Sequence, residues 1–328
     1  MKPLIKKLTE TFSPSGYENA IREVIIEEIK DFADEVRIDA LGNLIARKGS
    51  GGKKIMLAAH MDEIGIMVNH VDEKGFARFS SLGGVYPFTL IGSRVRFVNG
   101  AAGVIGAHYL KRPIELIKNT EMFIDTGASN PKNSPVRVGD VAGFERPFLD
   151  LGNRLVAKSM DDRIGVAVLI ETLRKLKKTP HEVYFVFTVQ EEVGVRGATT
   201  SAYGVNPDLG IAVDVTGADD IPAIDNQKIF LGQGPTFKFK DAGSLGDPRV
   251  IELFIKTAQK NKIPFQREVA TMGGTDARAI QLTRAGVPVM TLSIPCRYVH
   301  SPSETVDYRD VKNAVKLLTK FLEKKVEL

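Results

Sequence analysis

Apolar residues recur with helical spacing at Ile21, Val24, Ile25 and Ile29, just after Ser15-Gly-Tyr-Glu18, whose spacing predicts a capping box and a helix packed on a sheet. Val36-Arg-Ile-Asp39 and Asn43-Leu-Ile-Ala46 alternate across Leu41-Gly42 and predict a hairpin of half-buried strands. Lys54-Ile-Met-Leu-Ala-Ala59 is instead almost continuously apolar, as in a strand covered on both faces, with His60 at its C-terminal end. That is the edge where ligands gather in open α/β sheets.

From about Val71 to Val156 the texture changes. Short runs such as Phe76-Ala-Arg-Phe79, Arg94-Val-Arg-Phe-Val98 and Met122-Phe-Ile-Asp125 are separated by glycines, and no long helical period survives. The pattern predicts a small all-β domain, residues 71–156, inserted into an α/β domain formed by residues 1–70 and 157–328. Beyond it, Ile164 to Leu176, Val250 to Ala258 and Val311 to Leu322 have helical periodicity. Val183 to Val189, Leu209 to Val213 and Val287 to Ile294 read as buried strands. The expected fold class is therefore α/β, a mixed sheet flanked by helices with an inserted all-β domain.

Polar chemistry is concentrated near the ends of the apolar runs. His60 and Asp62 stand two apart, so an extended chain puts them on one face. Asp161-Asp162 precedes a helix, where acids also favour the N-terminal dipole. Glu191-Glu192 follows the strand ending at Val189, Asp214 follows Ile-Ala-Val, and His300 follows the stiff Ile294-Pro295. Each has an ordinary explanation alone: a strand-end histidine, a helix-start acid, a solvated loop pair. Together, two imidazoles and three or four carboxylates suit a pair of divalent metal ions. One aspartate of Asp161-Asp162 would bridge the ions, and one glutamate of Glu191-Glu192 would coordinate while its neighbour served as general base.

Composition narrows the partners. The chain has 328 residues, and its 45 basic and 40 acidic side chains are spread along it. Its densest basic cluster, Arg174-Lys-Leu-Lys-Lys178, ends a predicted helix, and no nucleic-acid-binding module accompanies it. No nucleic-acid partner is expected. The single cysteine, Cys296, excludes an intramolecular disulfide and reads as a small buried residue in a reducing compartment. No apolar stretch is long enough for a signal peptide or a membrane span, so a cytoplasmic protein without membrane contact is expected.

His60-Met-Asp-Glu-Ile-Gly65, Met160-Asp-Asp-Arg-Ile-Gly165, Gln190-Glu-Glu-Val-Gly194, Val213-Asp-Val-Thr-Gly217, Gly273-Gly-Thr-Asp-Ala277 and Arg297-Tyr-Val-His-Ser-Pro-Ser-Glu304 follow one another along nearly the whole chain. In identity and order they resemble the motifs of the tetrahedral aminopeptidases, dinuclear metallo-aminopeptidases whose relatives are called glutamyl aminopeptidase, deblocking aminopeptidase or endoglucanase. The resemblance implies a zinc-peptidase-like catalytic domain and a reaction that releases N-terminal residues from short peptides. It implies that Asp161 bridges two metals, zinc or cobalt, that His60 and Asp214 complete one site, and that Glu192 and His300 complete the other. Glu191 would be the general base and Asp62 would support His60. Gly273 to Asp276 would line the substrate pocket, although Thr275 also suits the cap of a helix running to Leu282. Finally, it implies a homo-oligomer, a tetrahedral dodecamer built from dimers through the inserted domain.

Two rivals stand beside this reading. A glycan hydrolase could use Glu191 and Glu192, but its carboxylates must flank the scissile bond about 5 or about 6.5 to 9.5 Å apart, which neighbouring residues rarely achieve. The chain also has no tryptophan to stack on sugars. A non-catalytic scaffold could keep metal for stability, yet closed structural sites rarely leave a free carboxylate beside an open position. His70, His108 and His181 have no partner motif and read as surface or core residues.

Overall fold

The opening amphipathic segments form α1 (Lys2–Glu10) and α2 (Asn19–Ile29), followed by the hairpin of β1 (Glu35–Ile38) and β2 (Leu44–Lys48). These come from a computed structural model that describes residues 1–107, 117–222, 224 and 228–327; His108 lies outside the described residues. β3 (Lys54–His60) explains its own composition. Ile55, Leu57 and Ala59 enter a core shared with α1 and α2, whereas Met56 and Ala58 enter a separate core on the other face. A strand with no solvated face has no alternate position for polar residues.

The glycine-punctuated segment closes into an antiparallel barrel of β4 (Gly65–Val71), β5 (Ala77–Leu82), β6 (Arg94–Phe97), β7 (Ala102–Ala107), β8 (Met122–Asp125) and β9 (Val141–Phe144). Its spatial order is β4-β5-β8-β7-β6-β9. Ile66, Val68, Phe79, Val95, Phe97, Ile105 and Ile124 fill a core separate from that of the large sheet.

The chain then runs through β10 (Leu149–Leu151), β11 (Arg154–Ala157), α3 (Met160–Lys175), β12 (Glu182–Thr188), α4 (Arg196–Val205), β13 (Leu209–Gly217), β14 (Thr236–Lys240) and α5 (Pro248–Lys260). It ends with β15 (Gln266–Val269), α6 (Ala277–Gln281), β16 (Val289–Arg297), β17 (Glu304–Asp307) and α7 (Tyr308–Leu322). The large sheet has the order β1-β2-β12-β3-β13-β16-β17-β11-β10, with β14 and β15 branching from β16. β12, β3, β13 and β16 are parallel and central, and antiparallel strands finish the sheet on each side. Helices α1, α2, α3, α5 and α7 cover one face; α4 and α6 cover the other.

One local expectation fails. Ser15 and Glu18 do not form a capping box, because α2 starts at Asn19 with Glu18 before it and no side-chain cap bond. Ser15 Oγ instead donates to Asp62 Oδ2 at 2.6 Å, and Glu18 accepts from the Gln190 N–H at 3.1 Å. Both residues hold other segments rather than their own helix.

Candidate metal centre

The parallel strands set the level of the site. Thr188 of β12 pairs with His60, and Ala212 of β13 pairs with Ala58, so Asp214 stands beside His60 where β3 stops. β13 continues to Gly217; Asp214 therefore lies within its strand rather than at its end. Asp161 arrives at the entry to α3, where Asp161 and Asp162 have non-helical backbone and the peptide between them is cis. Glu191 and Glu192 occupy the turn after β12, and His300 lies between β16 and β17 with a left-handed φ of 62°.

The two oxygens of Asp161 face different histidines. His60 Nε2 lies 3.0 Å from Oδ1, and His300 Nε2 lies 3.3 Å from Oδ2 and 3.5 Å from Glu192 Oε2. The result is two potential ligand groups that share Asp161: His60, Asp161 and Asp214, and Asp161, Glu192 and His300, each with ligand atoms within 4.8 Å of one another. Asp162 points elsewhere, accepting from the backbone N–H of His60 at 3.2 Å and of Gly165 at 3.0 Å.

Asp62 does more than face His60. Its carboxylate lies 3.4 Å from His60 Nδ1 and accepts from the N–H of Glu191 at 3.0 Å, the N–H of Glu192 at 3.3 Å and Ser15 Oγ. One fully buried carboxylate thus fixes both the imidazole and the glutamate turn.

Glu304 has a comparable part that spacing did not reveal. It is buried, and its two oxygens accept from the N–H of Asp161 at 3.0 Å and of His300 at 2.7 Å. The only sequence signal was an acid at the head of the short β17, four residues after His300. Glu63, next to Asp62, is likewise buried and pairs with Lys158 at 2.5 Å, Ser159 Oγ and the Ser13 N–H. Arg163, also buried, caps the end of α1 through the carbonyls of Leu8 and Thr11. These groups support the loops beneath the site.

Thr275 Oγ1 does accept from the Ala277 N–H at 3.3 Å at the start of α6, and Asp276 accepts from Thr188 Oγ1 at 2.5 Å. Cys296 is buried, with Sγ donating to the Arg297 carbonyl; His70 is exposed, and His181 is buried with Nε2 2.8 Å from the Lys324 carbonyl.

Crowding buried charges has consequences for protonation. Burial, then the Asp161 charge, pushes Glu192 up to about 8 and Asp214 up to about 7. Burial also raises Glu191 well above the carboxylate range, aided by Asp214, Asp276 and Glu192 against the pull of His60. Burial opposes ionisation of Asp161 too, but bonds to His300 and His60 overcome it and hold that carboxyl well below its usual value. For both imidazoles burial acts downward, yet their acidic partners win, raising His60 well above its ordinary value and His300 to about 10.

Divalent cations fit this cluster. Glu192 Oε1 is buried without a hydrogen-bond partner, and clustered carboxylates that retain protons near neutrality lose that penalty beside positive charge. Histidine nitrogen with carboxylate oxygen is a donor set for zinc or its neighbours. Glu191 differs in one respect: its carboxylate takes no hydrogen bond among the described residues.

Residues 42–317 match the family described as M42 glutamyl aminopeptidase. An Acetivibrio thermocellus protein, named provisionally as an aminopeptidase, is 48% identical over 98% of each chain. Among solved structures, an aminopeptidase from the archaeon Desulfurococcus kamchatkensis superposes with a TM-score of 0.94 at 42% identity, covering 98% of this chain and 94% of that one. The Pyrococcus horikoshii TET1 peptidase, described as assembling into a tetrahedron or a large octahedral shell, gives 0.89 at 34% identity, covering 98% and 99%.

Proposed function

Since the chain belongs to the M42 glutamyl aminopeptidase family, and is thus an aminopeptidase of a metal-dependent family, we propose that its two groups sharing Asp161 each hold one divalent cation. Glycan hydrolysis and a purely structural role are not favoured. The observation that carries the proposal is the division of Asp161 between His60 on one side and His300 on the other.

Asp161 would serve both cations, with His60 and Asp214 completing one site and Glu192 and His300 the other. Zinc suits this donor set first and cobalt second. Bound there, the pair supplies Lewis acidity for the scissile carbonyl and lowers the pKa of water. Glu191, free of other partners, takes the proton of the attacking water and delivers it to the departing amine. Asp62 holds Glu191 through its backbone N–H and orients His60, so it is a positioning residue.

The substrates we assign are short peptides with a free amino terminus, with Gly273 to Asp276 along the pocket wall. By analogy with the TET1 peptidase we propose a homo-oligomer, a tetrahedral dodecamer of dimers, with the segment inserted between the catalytic parts as the dimer-forming unit; the expected bounds of 71–156 shift, because the barrel strands run from Gly65 to Phe144 and β10 and β11 pair within the large sheet. Among the described residues no helix is long and apolar enough to cross a membrane. We place the enzyme in the cytoplasm, with neither nucleic acid nor membrane as a partner.

Glu191→Gln tests the assignment of the base. It should lower kcat by roughly 10²–10⁴-fold with metal content and assembly unchanged. A variant as active as the parent would remove Glu191 from that role.

A further inference from the structure

Among the described residues of the barrel, the loop Gly83-Gly-Val-Tyr-Pro-Phe88 reaches the candidate metal centre. Gly83 has φ +83°, and a Cβ there would lie 2.9 Å from Glu192 Oε2 and 3.1 Å from Glu192 Cβ. A Cβ on Gly84 would lie 2.5 Å from His300 Nδ1 and 2.7 Å from Cε1. Two consecutive residues without side chains therefore let the barrel backbone lie against two of the proposed ligands.

The loop is anchored at its root. Val85 is buried in the barrel core with Leu90, the Val85 N–H bonds to the Gly83 carbonyl at 3.0 Å, and Asn119 Nδ2 bonds to Ser81 Oγ at 2.7 Å. Its tip is not buried. Tyr86 and Phe88 are 47% and 61% exposed, yet their rings stack 5.7 Å apart, and the Tyr86 ring stands 6.1 Å from that of His300. Exposed aromatic rings contribute little to folding; held rigidly beside a reaction centre, they offer a surface to an apolar ligand group.

We propose that Tyr86, backed by Phe88, is a specificity-determining residue that packs against the apolar side chain of one of the two substrate residues flanking the scissile bond. The inference rests on the aminopeptidase reading and names the barrel as one wall of its substrate site. Tyr86 contributes hydrophobic contact area; Gly83 and Gly84 set the height of that wall above Glu192 and His300. Because the ring contacts substrate rather than reacting atoms, its removal weakens binding of apolar peptides and leaves the chemical step intact.

The test compares parent, Tyr86→Ala and Tyr86→Phe, all metal-loaded, on a peptide panel that varies the first two residues between glycine, alanine, leucine and phenylalanine. Tyr86→Ala should raise KM by about tenfold for peptides with leucine or phenylalanine at one of those positions. Glycine and alanine peptides should change little, kcat and metal content should be kept, and Tyr86→Phe should behave as the parent. An unchanged profile, a uniform loss across the panel, or a changed oligomeric mass with unchanged selectivity would overturn the inference while leaving the aminopeptidase reading in place. A parent that cleaves none of the peptides would defeat that reading and the inference with it.

Discussion

In β3 the residues from Ile55 to His60 are all buried, whereas in β6 the exposed Arg94 and Arg96 alternate with buried Val95 and Phe97. A strand with one solvated face keeps its charges hydrated at every second position. A strand covered on both faces pushes its polar residues to the level where the covering layers stop. There they are partly dry and close to their counterparts on neighbouring strands. That is why burial raises the pKa of Asp214 and of Glu192 at this edge of the sheet, where a cation would offset it, while the described part of the barrel brings Gly83, Gly84 and the Tyr86 ring to the same site.

The sharpest challenge to this contrast is a single methyl group. Gly84→Ala places a carbon against His300 without a left-handed φ to complicate the result, and it should reduce activity and metal affinity by roughly 10–100-fold, the range seen when ligand orientation is lost. Gly204→Ala, which meets nothing within 4 Å, is the control and should retain parental activity. Equal activity of the two variants would mean that the barrel does not bear on the centre.

Glu304→Gln probes the sheet side at nearly constant volume. Glutamine offers one carbonyl oxygen and turns an amide donor toward the other backbone N–H, so either Asp161 or His300 loses its anchor. Metal affinity should fall by about tenfold or more, read by competition with a chelator. Unaltered affinity would show that backbone anchoring by Glu304 is dispensable.

Ile124→Ala should leave catalysis untouched. It opens a cavity in the barrel core and should cost about 2–5 kcal/mol in chemical denaturation, with kcat per folded site unchanged. A fall in kcat as deep as that of Gly84→Ala would erase the distinction between barrel packing and barrel placement.

Much of this was legible in the chain itself. The unbroken apolar run before His60, the glycine-rich texture between the α/β segments and the acidic pairs near strand ends carried the fold class and the candidate ligands. What periodicity left open was side-chain direction. It could not separate Asp161 from Asp162, because both share a helix entry, and their non-helical backbone decides which one faces the histidines. It misassigned Ser15 and Glu18 to a helix cap, because their partners Asp62 and Gln190 are far away in sequence. Glu304 escaped because one of its two donors, the Asp161 N–H, is far away in sequence and comes within reach only once β17 has paired beside β16. The loop bearing Tyr86 gave no periodic signal at all; its role follows from where the barrel sits.

The most direct measurement is metal binding and peptide hydrolysis by metal-stripped protein as zinc or cobalt is titrated back. Two equivalents per chain, with cleavage restored only for peptides bearing a free amino terminus and not for their N-acetylated forms, is the result expected of two sites sharing Asp161. Saturation at one equivalent, undiminished cleavage without metal, or equal cleavage of acetylated peptides would contradict the account.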